Sequence, residues 1–195
     1  MRIIGGEYGS RRLITPRGAH TRPTLDRTRE SLFNVLQGRV DGAAVLDLFS
    51  GSGALGLEAL SRGARTAVFC DDSREAAQAI RANLTALGAQ HRARLLHMDW
   101  SRAVDLLAGE GERFNLIFLD QPYQMRYEPV LNNISAAGLL APDGWLMLER
   151  DSGMQVTMPD GLEVFRTKDY RATSIDFVRY RQEVADENSG ISGQL

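Results

Sequence analysis

From Ala43 to about residue 150, short apolar runs alternate with longer stretches that have room for a helix. The runs AVLDLF (44–49), TAVFC (66–70), ARLLHM (93–98), FNLIFLD (114–120) and WLMLE (145–149) read as strands. Between them, Ala54–Ser61, Ser73–Leu87, Ser101–Ala108 and Tyr127–Leu139 are each long enough for a helix. Strands alternating with helices imply βαβ units, hence an α/β fold with a mostly parallel sheet covered by helices on both faces. After Pro159 the pattern changes. LEVFRTKDY and TSIDFVRYR follow one another without a helix, which predicts an antiparallel hairpin at one edge of the sheet. The first forty residues differ again. Residues 1–22 are rich in Gly and Arg, with Ile3–Ile4 and Leu13–Ile14 separated by Gly9–Ser10, and read as a small hairpin or extended arm. Thr24 to Leu36 reads as a helix with Thr24 as its N-cap and Leu32, Val35 and Leu36 on its apolar face.

The 195 residues fit one folded unit in three parts: a basic arm and helix (1–40) packed on the core, an α/β domain (41–182) and an acidic, flexible tail (183–195). With 43% hydrophobic and 25% charged residues, the composition excludes intrinsic disorder, a coiled coil and a collagen-like repeat. The single cysteine, Cys70, excludes an intramolecular disulfide framework and an all-cysteine zinc site. His20, His91 and His97 lack metal-ligand spacing, so no metal is expected. No apolar run approaches the roughly 20 residues of a membrane helix, and the start lacks the apolar stretch of a signal peptide. A cytoplasmic protein without membrane contact is the expectation. The net charge of −2 carries little information, but its distribution does: residues 1–39 hold eight arginines against Glu7, Asp26 and Glu30. Of the 23 basic residues only Lys168 is lysine, which a GC-rich codon bias would explain; the clustering it would not.

The candidate chemistry begins at Gly51-Ser-Gly53-Ala-Leu-Gly56, a G-x-G-x-x-G that follows a predicted strand and opens a predicted helix. Asp71 lies 20 residues beyond Gly51, at the end of the next strand. Taken literally this is a dinucleotide fingerprint. Asp47, four residues before Gly51, argues otherwise, because a carboxylate there would repel a pyrophosphate. S-adenosylmethionine carries a sulfonium and an ammonium and no phosphate, so the same acid favours it. Asp71 would then grip ribose hydroxyls, and Asp99, ending the third strand, would accept from the adenine amino group beside Trp100. Simpler roles stay open for each: a loop cap for Asp47, a surface acid for Asp71, a helix N-cap for Asp99. Three acids ending three successive strands nevertheless share the edge at which open α/β sheets bind ligands.

The fourth strand ends in Asp120-Gln121-Pro122-Tyr123, which resembles the (D/N/S)-P-P-(Y/F/W) motif of methyltransferases acting on exocyclic amino groups of bases. Such an amine is a poor nucleophile because its lone pair is delocalised into the ring. It needs hydrogen-bond acceptors that favour the localised form, and in-line placement against the methyl donor. Asp120 and the carbonyl of residue 121 would be the acceptors, Pro122 would stiffen the turn, and Tyr123 would stack on a base turned out of its helix. Gln121 departs from the motif, which has proline there.

Together with MRIIGGEYGSRRL, TRPTLDRTRESLFNVL and VLDLFSGSGALGLEALSRGA, this tetrapeptide makes the chain similar to the bacterial 16S ribosomal RNA guanine-N2 methyltransferases, the RsmD-like family, from residue 1 to about 181. The resemblance implies a Rossmann-like, seven-stranded class I methyltransferase that uses S-adenosylmethionine and methylates N2 of one guanine, position 966 in the usual RNA numbering. It implies a partner, the 16S rRNA within the 30S subunit, and a protein acting as a monomer. Carried over by motif, Asp47, Gly51, Gly53, Asp71 and Asp99 would bind cofactor, and Asp120, Pro122 and Tyr123 would hold the base. The Arg22-Pro23-Thr24 turn would lie near the methionine end of the cofactor or the RNA entrance, so Thr24 joins the cofactor set. Arg171 stands where the family tends to have glycine, in Tyr170-Arg-Ala-Thr173. Arg11, Arg12, Arg17 and Arg22 would meet RNA phosphates. Other readings remain: an adenine-N6 or other amino methyltransferase, a non-catalytic ribosome-assembly factor that keeps the cofactor fold, and, more remotely, an NAD-dependent oxidoreductase.

Overall fold

The computed structural model describes residues 1–16, 23–122 and 124–182, without the side chains of residues 23–25. Arg17, Arg22, Tyr123, the tail 183–195 and the side chain of Thr24 therefore lie outside the described residues. Strands β1 (Ala44–Asp47), β2 (Thr66–Asp71), β3 (Ala93–His97), β4 (Phe114–Leu119), β5 (Leu140–Asp151), β6 (Leu162–Asp169) and β7 (Thr173–Tyr180) form one sheet in the order β3-β2-β1-β4-β5-β7-β6. The first five run parallel. β7 pairs antiparallel with both β5 and β6, so the expected hairpin is present and β6 becomes the edge. Strand order reverses between β1 and β4, and the crevice beyond the carboxyl ends at such a reversal is where α/β sheets take ligands.

Helices α1 (Pro23–Val35), α2 (Ala54–Ser61) and α3 (Arg74–Leu87) contribute to one core layer, and α4 (Trp100–Gly109) and α5 (Tyr127–Ala136) to the other. Successive strand residues point to opposite faces, so Val45, Phe69 and Phe118 pack with Phe33, Leu57 and Ile80, whereas Leu46, Val68 and Ile117 pack with Val104, Leu107 and Val130. Burial on both faces is why these strands read as continuous apolar runs. Among the described residues no helix is long and apolar enough to cross a membrane.

Several boundaries differ from expectation. The helix read from Thr24 begins at Pro23, so Thr24 lies within its first turn and is not the N-cap; proline suits that turn because the amide it lacks would have no intrahelical partner. Strand β1 stops at Asp47, where the chain turns into the glycine loop, although the Leu48 amide still donates to the Phe118 carbonyl at 3.2 Å. Helix α5 ends at Ala136 before Gly138, whose φ of 63° breaks it, and β5 extends back to Leu140 across a register shift against β4.

The arm is a docked hairpin. Arg2 and Arg12 form an antiparallel bridge, and Ile3, Tyr8 and Leu13 are buried in the core layer of α1 to α3. Its tie is Glu58 on α2, fully buried, whose carboxylate accepts from the amides of Ile4 (2.7 Å) and Gly5 (3.0 Å). The same carboxylate faces the guanidiniums of Arg62 (2.7 Å) and Arg29 (3.6 Å). Farther along, the buried Asn83 of α3 accepts from the Ile14 amide (2.7 Å) and donates to the Ile14 carbonyl (2.9 Å) and the Ser52 carbonyl (3.0 Å). The arm is thereby joined to the glycine loop.

Candidate active site

The glycine loop turns sharply between β1 and α2. Gly51 and Gly53 adopt φ of 54° and 79°, a region that favours glycine, and a Cβ on Gly56 would stand 2.3 Å from the Phe69 ring. Asp71 braces this loop from β2, accepting from the Gly51 amide (2.8 Å) and the Ser73 amide (2.9 Å). Asp47 braces it from below: 1% exposed, it accepts from the Gly56 amide at 3.0 Å through Oδ2, while Oδ1 is buried without a partner. Burial, reinforced by the charges of Asp120 and Asp71, raises its carboxyl to about 7 against the pull of the Gly56 amide.

Beyond the loop opens a cavity of about 820 Å³, a size suited to a small organic ligand. Gly51, Asp71, Asp99, Asp120 and Pro122 line it, so five of the residues singled out in the sequence come together. Asp47 and Gly53 do not line it: they shape the loop beneath. For Asp47 this is the loop-capping role that the sequence left open. Arg11 and Arg12 are exposed on the arm and are not part of the cavity wall.

Asp99 both faces the cavity and caps α4, its Oδ1 accepting from the Ser101 amide (2.9 Å) and hydroxyl (2.5 Å). Chiefly the Ser101 hydroxyl holds that carboxyl below the usual range. Trp100, the first residue of α4, lies on the wall with Leu48, Phe49, Met98 and Met125, which gives the acidic chamber an apolar lining. Cys70, without exposed surface in β2, lies against the cavity, and burial first, then the acids around it, pushes its thiol up to about 12.

Asp120 follows the last residue of β4 and is exposed to the cavity. Sequence reasoning missed its neighbour, Glu149 on β5. Leu119 pairs with Leu148 in parallel register, so the next residues along the two strands are Asp120 and Glu149. Desolvation raises both carboxyls, and the Asp120 charge raises Glu149 further. The apolar run WLMLE ended on this acid, the same signal that drew attention to Asp120. No lysine or arginine is among the described residues lining the cavity. A site with this charge suits a cationic ligand without phosphates and opposes a dinucleotide.

Fold and site together define a Rossmann-like class I methyltransferase. The chain belongs to the family described as conserved hypothetical protein 95, whose pattern matches residues 1–179, and is RsmD-like. It is 36% identical to the putative rRNA methyltransferase YlbH of Bacillus subtilis over 93% of this chain and all of that one. It is equally similar, 36% over 96% of this chain and 93% of the relative, to ribosomal RNA small subunit methyltransferase D of Escherichia coli. Among solved structures, the putative methyltransferase YhhF from Escherichia coli superposes with a TM-score of 0.81 at 35% identity, covering 92% of this chain and 97% of that one. The putative methylase HI0767 from Haemophilus influenzae gives 0.75 at 25% identity, covering 93% and 99%.

Proposed function

We propose that this protein transfers a methyl group from S-adenosylmethionine to ribosomal RNA, and specifically to the exocyclic N2 of a guanine in 16S rRNA held within the 30S subunit, guanine 966. The single observation that carries the reading is the acidic, apolar-walled cavity with Asp120 on its rim. The names of the relatives at 36% identity support methyl transfer to ribosomal RNA. An exocyclic amine as acceptor rests on the tetrapeptide at the end of β4, and guanine N2 on the resemblance of the whole chain to the RsmD-like family.

The residues fit the cofactor. Asp71 and Asp99 are spaced along the carboxyl edge for the ribose and the adenine amino group, with Trp100 and Met98 beside them. Asp47, beneath the loop with its Oδ1 unpartnered, would add negative potential under the cavity that favours a ligand ammonium. When bound, S-adenosylmethionine would supply an electrophilic sulfonium methyl, with the neutral thioether as leaving group. Asp120 and the residue-121 carbonyl accept the two amine hydrogens and orient the lone pair toward the methyl. The proton released from the methylated nitrogen leaves through Asp120, which is exposed to the cavity, to water. The exposed Arg11 and Arg12 of the arm, with Arg17 and Arg22 beyond the described residues, supply phosphate contacts that carry no sequence information.

The test is transfer of labelled methyl to 30S subunits lacking the modification, to naked 16S RNA and to duplex DNA, followed by nucleoside digestion. N2-methylguanosine chiefly from subunits is the expected result. Label in N6-methyladenine would overturn the guanine assignment while keeping the cofactor. Absence of label with cofactor still bound would overturn catalysis and favour an assembly factor.

A further inference from the structure

We propose that Gln121 is a positioning residue for the methyl acceptor: its buried carboxamide clasps the loop after β4 and holds Asp120 at a set spacing from the cavity wall. The proposal rests on the reading of Asp120 given above. Gln121 is only 3% exposed, and its Nε2 donates to the Met125 carbonyl at 2.9 Å. The Met125 amide in turn donates to the Pro122 carbonyl at 2.9 Å. Two hydrogen bonds thus close the segment from 121 to 125. Both ends of that segment face the ligand, since Asp120, Gln121, Pro122 and Met125 all line the cavity.

A space-filling role does not account for this residue. Its Oε1 is buried with no partner, a cost that a leucine of similar size would avoid. What leucine cannot do is donate to Met125. Without a ring at position 121 the backbone φ is free, and a loop carrying an acceptor that must meet an amine within a fraction of an ångström would otherwise spread over several conformers. The tether from side chain to backbone restricts the loop by another route, and through Met125 it links the acceptor loop to the wall of the ligand cavity. No backbone hydrogen bond is lost if proline replaces Gln121, because the Gln121 amide makes none among the described residues, and the ring's fixed φ takes over from the lost side-chain tether.

Gln121→Leu, Gln121→Pro and the unaltered protein would be compared for kcat and KM of methyl transfer, for S-adenosylhomocysteine affinity, for melting temperature, and for hydrogen exchange at the Met125 amide. The expected result for Gln121→Leu is a kcat at least tenfold lower, cofactor affinity within twofold, an equal or higher melting temperature, and faster exchange at Met125. Gln121→Pro should recover at least a third of the original kcat. Unchanged kcat and exchange in Gln121→Leu would overturn the clasp, and so would a parallel loss of cofactor affinity, which would mean a role in ligand binding or overall folding. If the unaltered protein methylates no ribosomal substrate, the functional reading fails separately, and exchange at Met125 alone then decides the clasp: an unchanged rate overturns it.

Discussion

At the residue scale the site gathers carboxyls of unequal exposure: Asp47 is buried under the glycine loop, whereas Asp99 and Asp120 open to the cavity. Unfolded, Asp47 ionises near 3.8; buried under the glycine loop, it does so near about 7. Between those values the folded chain keeps a proton that the unfolded chain has released, so stability falls as pH rises across the window and stays reduced above it. Asp47→Asn removes the penalty. It should leave urea stability unchanged near pH 4 and raise it by roughly 1–2 kcal/mol at pH 8, while weakening a cationic ligand several-fold. A ligand ammonium in the cavity above Asp47 favours the ionised form, so cofactor affinity in the unaltered protein should climb with pH through 7, measured by titration calorimetry. At Asp120 the raised carboxyl has another consequence. Only the carboxylate accepts both an amine hydrogen and a proton, so turnover should fall as pH drops below neutrality, and Glu149→Gln should leave that fall in place, because the Asp120 charge keeps Glu149 protonated over the range in which Asp120 titrates. Asp120→Ala should cut kcat by about 10²–10³ with cofactor affinity within a few-fold. The acids of β1 to β4 were legible in the sequence because each ends an apolar run. Glu149 ends one too, but its importance depends on β5 lying next to β4, which periodicity does not state. The difference between Asp71 on the cavity wall and Asp47 beneath the loop depends on which way a strand-end side chain points once the chain turns, and that too is invisible before folding.

At the scale of elements, the question is what makes a basic arm part of an enzyme. Glu58 answers it by satisfying two arm amides and two guanidiniums from inside α2. Removing it strands the amides of Ile4 and Gly5, takes the 2.7 Å partner from Arg62, and leaves Arg29, 5% exposed, to Asp26 at 3.0 Å. Glu58→Ala should therefore cost about 3–5 kcal/mol in urea unfolding. Glu7→Ala breaks the Arg92 pair of the same arm, but Glu7 is 62% exposed, and the loss should stay below about 1 kcal/mol. The arm's outer face is a separate matter. Arg11→Ala with Arg12→Ala should lower the dependence of log affinity on log salt by roughly 1–2 for ribosomal subunits, with little change in cofactor binding. An unchanged slope would mean that RNA contacts other surfaces. The sequence announced this arm through its glycines, arginines and short apolar pieces, and the apolar positions Ile3 and Leu13 did become core. It did not announce Glu58. A glutamate within ALGLEALS looks like a solvated helix position, and only the docking of residues 4 and 5 over α2 converts it into a buried acceptor.

At the scale of the whole molecule, the order β3-β2-β1-β4-β5-β7-β6 explains why residues from 51 to 125 meet in one cavity. The chain builds the sheet outward from β1 to β3, returns to lay β4 on the other side of β1, and leaves its crevice at that reversal. Alternating strands and helices were enough to foresee a parallel sheet and its functional edge. The insertion of β7 between β5 and β6 was not foreseeable, because a hairpin pattern states that two strands pair without stating which one meets the rest of the sheet. With the cavity spanning the ends of four strands and braced to the arm through Asn83 and Ser52, a ligand there contacts elements from both halves of the sheet and binds only the folded form. Occupation at a hundredfold excess over the dissociation constant should then stabilise the chain by about 2.7 kcal/mol, a rise in melting temperature on the order of 5–10 °C. S-adenosylhomocysteine should produce that rise, whereas NAD at the same concentration should produce none, because its pyrophosphate would have to sit against Asp71, Asp99 and Asp120 with no cationic side chain among the described wall residues to offset them. Equal stabilisation by NAD would mean that the acids of this edge do not select the ligand, and the argument from charge to cofactor would fall with it.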